Sequence, residues 1–320
     1  MDIYSKPNVK FSTAAGEDGW LYVWNMDGIE VKATGELLYN EVELEAVGRA
    51  VELRAAWCRD RGISYIHMIA PDKTSVYPQH FPDKRVQSKE RMIHQCRAEW
   101  NRKSRRINFV DTLPMLEEWS KSYDTYFKTD SHWNYKAALA IFNEVANRLI
   151  GRFPDFRPFK PEDVATRSVT RVFELGALLD PPVKETAEIM TPKTVSSKVV
   201  FDSPSARGKI QVFETGNAEL PRCIVFRDSF TSFFLPFLCE RCSRIVVINS
   251  KNFWYQLVES EKPDIVIMEM AERYLHPNAF DVYGRNFDDT FGVTIKSISE
   301  SSLTNPMILT AAAAPATPTA

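Results

Sequence analysis

Two short segments carry the groups that acyl transfer requires. Thr129-Asp130-Ser131-His132-Trp133-Asn134 supplies a carboxylate and an imidazole, and Arg227-Asp228-Ser229-Phe230 supplies a hydroxyl far downstream. A serine hydroxyl is a weak nucleophile at its free pKa. It needs an imidazole within hydrogen-bond reach to take its proton, and a carboxylate to orient that imidazole and stabilise its charged form. An Asp-x-His step in a turn or extended segment puts its first and third side chains on one side, so Asp130 can support the His132 ring. The roles read from residue type are Ser229 as nucleophile, His132 as general base and Asp130 as orienting acid. Each has a plainer reading. Ser229 could cap the helix that follows it, a task open equally to Asp228 and Thr231, and His132 could be a helix-entry residue satisfied by backbone.

The elements that would position these groups alternate. Apolar residues at helical spacing over 40–61 (Leu44, Val47, Val51, Ala55) predict an amphipathic helix, and the apolar run 63–70 after Gly62 predicts a buried strand. Further helices are expected over 88–102, 113–121 and 135–150, with a short strand at 107–110. His132 thus falls just before a helix. The stretch 151–222 changes character, with Pro154, Pro158, Pro161, Pro181 and Pro182 and short β-type runs, and reads as an inserted, partly β lobe. Regularity returns with strands at 223–226, 245–248 and 265–268 separated by helices at 231–242 and 253–261.

Strands alternating with helices predict an α/β fold, a doubly wound, mainly parallel sheet in a flavodoxin-like three-layer sandwich, spanning 1–300 with the lobe 151–222 inserted. The Ala/Pro/Thr-rich tail 301–320 has too little to bury and is expected to be disordered. Ligands of such sheets bind beyond the carboxyl ends of the strands, where Ser229 falls. The amides opening the next helix would then face a developing oxyanion.

Other polar residues take their place from the same rule. Lys73 and Arg273 follow strand ends and could position a carbonyl, carboxylate or sugar hydroxyl, or simply form salt bridges. Asn249, ending another strand, is either an amide donor to an oxyanion or a turn residue. His67 lies inside an apolar strand and reads as core, and no histidine pair has metal-ligand spacing, so neither metal nor cofactor is expected. Cys239 and Cys242 form a CxxC with no second pair to complete a ligand set, and are read as structural. Phe230, Phe233, Phe234 and Phe237 repeat at helical spacing and are read as core.

A net charge of -2 and a sequence pI near 6.3 provide no bulk attraction to nucleic acid or an anionic membrane surface. The cation-rich segment 97–106 is accordingly read as a solvated helix end. No run approaches the roughly 18 apolar residues of a membrane span, and the opening residues lack a leader pattern. As it stands, the sequence reads as cytoplasmic, with no membrane insertion.

Five segments in order resemble the SGNH-hydrolase-like acetyltransferases of bacterial exopolysaccharide modification, typified by alginate O-acetyltransferases. They are 16–22, Pro71-Asp72-Lys73 with Val76-Tyr77-Pro78, 129–134, 227–230, and 262–267 leading to Glu272-Arg273-Tyr274-Leu275. The resemblance implies an Asp, His, Ser order for the triad, carried onto Asp130, His132 and Ser229. It also implies a carbohydrate acceptor, and an acetyl donor delivered by a membrane acyltransferase partner. Arg227 stands where the family commonly has glycine, and a bulky cation there would narrow the site or greet an anionic acceptor. The family works outside the cytoplasm, which makes the periplasm the alternative compartment. The expected activity is O-acetyl transfer to polysaccharide hydroxyls through an acetyl-Ser229 intermediate. The alternatives are a carbohydrate acetyl esterase with the same triad and a non-catalytic glycan-binding or scaffold subunit.

Overall fold

The computed structural model describes residues 1–275 except 7–8, 88–89 and 204–207, together with a short pairing of Val293–Thr294 with Thr310–Ala311. Apart from that pairing, the tail 301–320 lies outside the described residues. In chain order the strands that matter are β1 (Ile3–Tyr4), β2 (Ser12–Ala15), β3 (Leu21–Trp24), β4 (Ser64–Ala70), β5 (Phe109–Val110), β6 (Val164–Val172), β7 (Lys184–Pro192), β8 (Lys198–Asp202), β9 (Ile210–Glu214), β10 (Arg222–Arg227), β11 (Arg244–Asn249) and β12 (Ile265–Ala271). Seven of them form the central sheet in the order β5-β4-β12-β10-β11-β9-β8. The first five are parallel, and β9 and β8 join antiparallel at the β11 edge.

The parallel strands are near-continuous apolar runs because helices cover the sheet. Ile224, Val225 and Phe226 at its centre are fully buried, as is most of β12. The helix Glu41–Asp60 starts on a capping box in which Asn40 Oδ1 accepts from Glu43 N–H and the Glu43 carboxylate accepts from Asn40 N–H, an arrangement that satisfies two orphan amides. The helix Tyr135–Leu149 is capped by Asn134 and buries Ala138, Ile141, Phe142, Val145 and Leu149 along one stripe. Among the described residues no helix is long and apolar enough to cross a membrane.

Two parts depart from the sequence reading. The stretch 151–222 is not a self-contained lobe, because β8 and β9 extend the central sheet while β6 and β7 pair only with each other in a largely exposed hairpin. The helix expected at 231–242 is shorter, a 3-10 turn Phe230–Phe233 followed by Leu235–Cys239. Pro236 explains the break: it cannot donate a backbone hydrogen bond and so sits in the first turn of the second segment. A separate antiparallel sheet, β1-β2-β3, lies at the N-terminus. The five cysteines are free and buried.

Candidate active site

β10 ends at Arg227, and the chain turns at once through Asp228 and Ser229 into the 3-10 segment. Buried Asp228 ties this turn to its neighbours by three hydrogen bonds. Its Oδ1 accepts from Phe230 N–H at 2.9 Å, its Oδ2 accepts from Ala271 N–H at 2.5 Å, and its own N–H donates to Glu269 Oε2 at 3.1 Å. Ala271 and Glu269 belong to β12, so the neighbouring strand carries the turn. Ser229 itself is exposed at the carboxyl edge of the sheet, and its side chain caps no amide. The capping expected of Ser229 or its neighbours is performed by Asp228.

Residues 125–134 fold back on themselves. Tyr126 bridges Trp133, Phe127 N–H donates to His132 O at 3.3 Å, and Asn134 N–H donates to Thr125 O at 2.9 Å. The loop brings the His132 ring to Ser229. Nε2 lies 2.6 Å from Ser229 Oγ and Nδ1 lies 2.6 Å from Asp130 Oδ1. Asp130 Oδ1 also accepts the His132 backbone N–H at 3.1 Å. The tautomer that satisfies both ring contacts carries its proton on Nδ1, donates to Asp130 and offers the Nε2 lone pair to the serine hydroxyl. Phe230 and Phe233 flank the ring with centroids 4.7 and 5.1 Å away.

Burial alone would push the Asp130 carboxyl up, but the bonds from the His132 ring and backbone and the charge of Lys73 bring it below the ordinary range. Asp130 therefore stays ionised, as an orienting acid must.

A family model described as "SGNH hydrolase-like domain, acetyltransferase AlgX" matches residues 13–252, a span that holds all three of these groups. This chain belongs to the SGNH hydrolase-like acetyltransferase family. Solved structures share the fold. That of Bacillus cereus PatB1 superposes with a TM-score of 0.64 at 15% identity, covering 85% of this chain and 100% of that one. The O-acetyltransferase domain of Pseudomonas putida AlgJ gives 0.51 at 16% identity, covering 83% and 92%, respectively. Pseudomonas aeruginosa AlgX gives 0.53 at 14%, covering 88% and 68%. No curated protein sequence matches the chain.

In this member of the SGNH hydrolase-like acetyltransferases, the four residues expected at the substrate fall elsewhere in part. Lys73 is buried, and its Nζ donates to the carbonyls of Leu21 at 2.7 Å, Lys128 at 3.0 Å and Asp130 at 2.5 Å. Its three protons are spent, and releasing one buried carbonyl would cost about 1–3 kcal/mol, so Lys73 holds the site loop and not the substrate. Burial pushes its amine down to about 7, with Asp130 and Glu185 opposing that shift. Arg273 is also buried, paired through Nε and Nη2 with Asp72 Oδ1 at 2.7 Å, and its guanidinium lies 5.4 Å from the Phe230 ring centroid.

Arg227 Nη1 donates to Asp228 O at 2.9 Å and Ser232 Oγ at 2.8 Å, bracketing Ser229. Asn249 ends β11 in register with Arg227 and is exposed at the same edge. The amide of Phe230, expected to face an oxyanion, is instead occupied by Asp228.

Three acids near the site escaped the sequence reading. Glu174 Oε2 accepts from Ser131 Oγ at 2.7 Å and lies 3.8 Å from His132 Nδ1. One ligand atom from each of Asp130, His132 and Glu174 lies within 4.8 Å of the others, close enough to hold a cation. In that use Nδ1 would give up its proton and its bond to Asp130. Glu185 on β7 accepts from Lys128 N–H, Thr129 N–H and Thr129 Oγ1. Glu269 on β12 is buried, and burial together with Asp228 raises its carboxyl well above the usual range. Glu174 and Glu185 come from the stretch read as an insertion, where no side-chain pattern tied them to residues 128–132.

Proposed function

We propose that the chain is a serine-dependent O-acetyltransferase acting on polysaccharide hydroxyls through an acetyl-Ser229 intermediate. The observation that carries this reading is the file of three groups, Ser229 Oγ to His132 Nε2 and His132 Nδ1 to Asp130 Oδ1, both at 2.6 Å, ending on an exposed hydroxyl. Membership of an acetyltransferase family supports it.

In the first half-reaction Ser229 Oγ bonds to the acetyl carbon of the donor while His132 Nε2 takes its proton and returns it to the leaving group. Asp130 holds the ring in the required tautomer and stabilises the imidazolium. In the second, His132 removes the proton of a sugar hydroxyl, the new ester forms, the bond to Ser229 breaks, and the proton returns to Oγ. Ser229 is also open to water, which favours esterase activity as the second reading.

Incubating the full chain with p-nitrophenyl acetate and measuring intact mass tests the proposal. One added acetyl is expected on the wild type and none on Ser229→Ala. Loss of that label to an added oligosaccharide faster than to water assigns transfer, and the reverse assigns hydrolysis. A wild type that takes up no acetyl and releases p-nitrophenolate no faster than Ser229→Ala overturns both in favour of a non-catalytic scaffold.

A further inference from the structure

Residues 128–130 belong to no helix or strand, yet they must hold Asp130 and His132 to a fraction of an ångström. Their backbone groups are satisfied from two sides. On one side the Lys73 ammonium donates to the carbonyls of Lys128 and Asp130 and also to Leu21 of β3. On the other, the Glu185 carboxylate accepts Lys128 N–H at 3.0 Å, Thr129 N–H at 2.8 Å and the Thr129 hydroxyl at 2.7 Å. Leu21 N–H adds a bond to Lys128 O at 2.8 Å, and Thr129 O accepts from Leu175 and Gly176 N–H, each at 3.0 Å.

The two charges come from separate units. Lys73 follows β4 of the central sheet, Glu185 lies on the β6–β7 hairpin, and Leu21 opens β3 of the N-terminal sheet. The rings of Trp20 and Tyr22 each lie 5.6 Å from Nζ and enclose it. A neutral amine has two hydrogens for three carbonyls, so only the ammonium satisfies the arrangement.

We propose that Lys73 and Glu185 are positioning residues of opposite charge that clamp residues 128–130 and so set the placement of His132 against Asp130 and Ser229. Neither residue touches the reacting atoms. The inference rests on the acyl-transfer reading for its kinetic consequence, while its structural consequence is observable without any reaction.

The test uses Lys73→Met, which keeps an apolar stem of similar length, and Glu185→Gln, which keeps the shape of a half-buried side chain and covers the case in which Lys73→Met does not fold. In the 15N-histidine-labelled free protein, the downfield proton on His132 Nδ1 reports its bond to Asp130. That resonance is expected to shift or broaden away in both variants. The rate of Ser229 acetylation by p-nitrophenyl acetate is expected to fall about 100-fold in Lys73→Met, as for a catalytic group displaced by about an ångström, and less in Glu185→Gln, with KM unchanged in each. Val145→Ala, a core truncation away from the loop, supplies a destabilised control that leaves resonance and rate in place.

An unchanged resonance with acetylation within threefold of wild type in the folded variants overturns the clamp, even where thermal stability drops. Should wild type take up no acetyl while its resonance still responds to Lys73, the acyl-transfer reading falls and the clamp stands.

Discussion

Trp133 donates its indole N–H to the carbonyl of Phe230 at 3.0 Å, one residue beyond His132 on one segment of the site and one beyond Ser229 on the other. The segments that carry His132 and Ser229 are thus joined twice, once by the His132 Nε2 contact with Ser229 Oγ and once by a buried bond beside it. Trp133→Phe keeps a buried ring and removes the indole donor to the Phe230 carbonyl, which should cost about 0.5–1.5 kcal/mol of stability in urea unfolding. Acetylation of Ser229 should slow about tenfold, equivalent to about 1.4 kcal/mol of barrier. A normal rate in the destabilised variant would mean that the second bond serves the fold alone.

Asp130→Asn preserves the shape of the acid while removing its charge. An amide facing Nδ1 favours the wrong tautomer, and the acetylation rate should fall by about 10⁴-fold as in other Ser-His-Asp sites. The same variant reports on stability. Because the folded carboxyl is depressed, its contribution is present above the unfolded value of about 3.9 and is lost as pH falls through the lower folded value. The difference between wild type and Asp130→Asn in urea unfolding should therefore be constant from neutral pH to about 5 and shrink below about 4. A difference that persists undiminished at pH 3 would assign the effect to packing.

Much of this site was legible before any coordinates, and the reason is chemical. Asp130, His132 and Ser229 are the residue types that acyl transfer needs, and the strand Ser229 follows is an apolar run whose end is readable from the sequence, whereas Asp130 and His132 sit in a loop just before a helix. The supporting bonds were opaque. Lys73 and Glu185 act on backbone carbonyls and amides more than fifty residues away in sequence, and backbone groups are the same at every position, so no side-chain pattern announces them. The return of β8 and β9 to the β11 edge was hidden likewise, because short strands flanked by prolines fit an insertion as well as a sheet extension. At 231–242 the apolar period was real, but Pro236 cut it into two short segments.

Glu269 and Asp228 form a buried acid pair beside the turn that carries Ser229. Burial first, and then the Asp228 charge, raise the Glu269 carboxyl well above its ordinary value. Its Oε2 accepts from Asp228 N–H and from Thr231 Oγ1 at 2.9 Å. The unfolded chain loses that proton near pH 4.3, so between there and the raised folded value the folded state binds more protons and stability falls as pH rises. Glu269→Gln keeps an acceptor oxygen and a donor without the titration. It should flatten the decline in stability that sets in as pH rises above about 4.3 in thermal melts. A parallel decline in the variant would assign the slope to other groups.

Arg227 stands where the resemblance to the family implies a small residue, and a bulky side chain there would be expected to obstruct the site. Its geometry argues the opposite. One guanidinium nitrogen holds the carbonyl of Asp228 and the hydroxyl of Ser232, the residues on either side of the turn that presents Ser229. Bonds from a charged donor contribute about 1.5–3 kcal/mol each when buried, and Arg227 is only partly so, which places the expected loss for Arg227→Gly near 1–2 kcal/mol in urea unfolding, with about 0.5–1 kcal/mol more for glycine in a strand. Acetylation should slow as the turn loosens. Arg227→Lys should recover part of the rate, since an ammonium can reach one of the two acceptors but lacks the planar fork. Faster acetylation in Arg227→Gly at unchanged stability would instead make Arg227 a barrier at the mouth of the site, and the two bonds incidental.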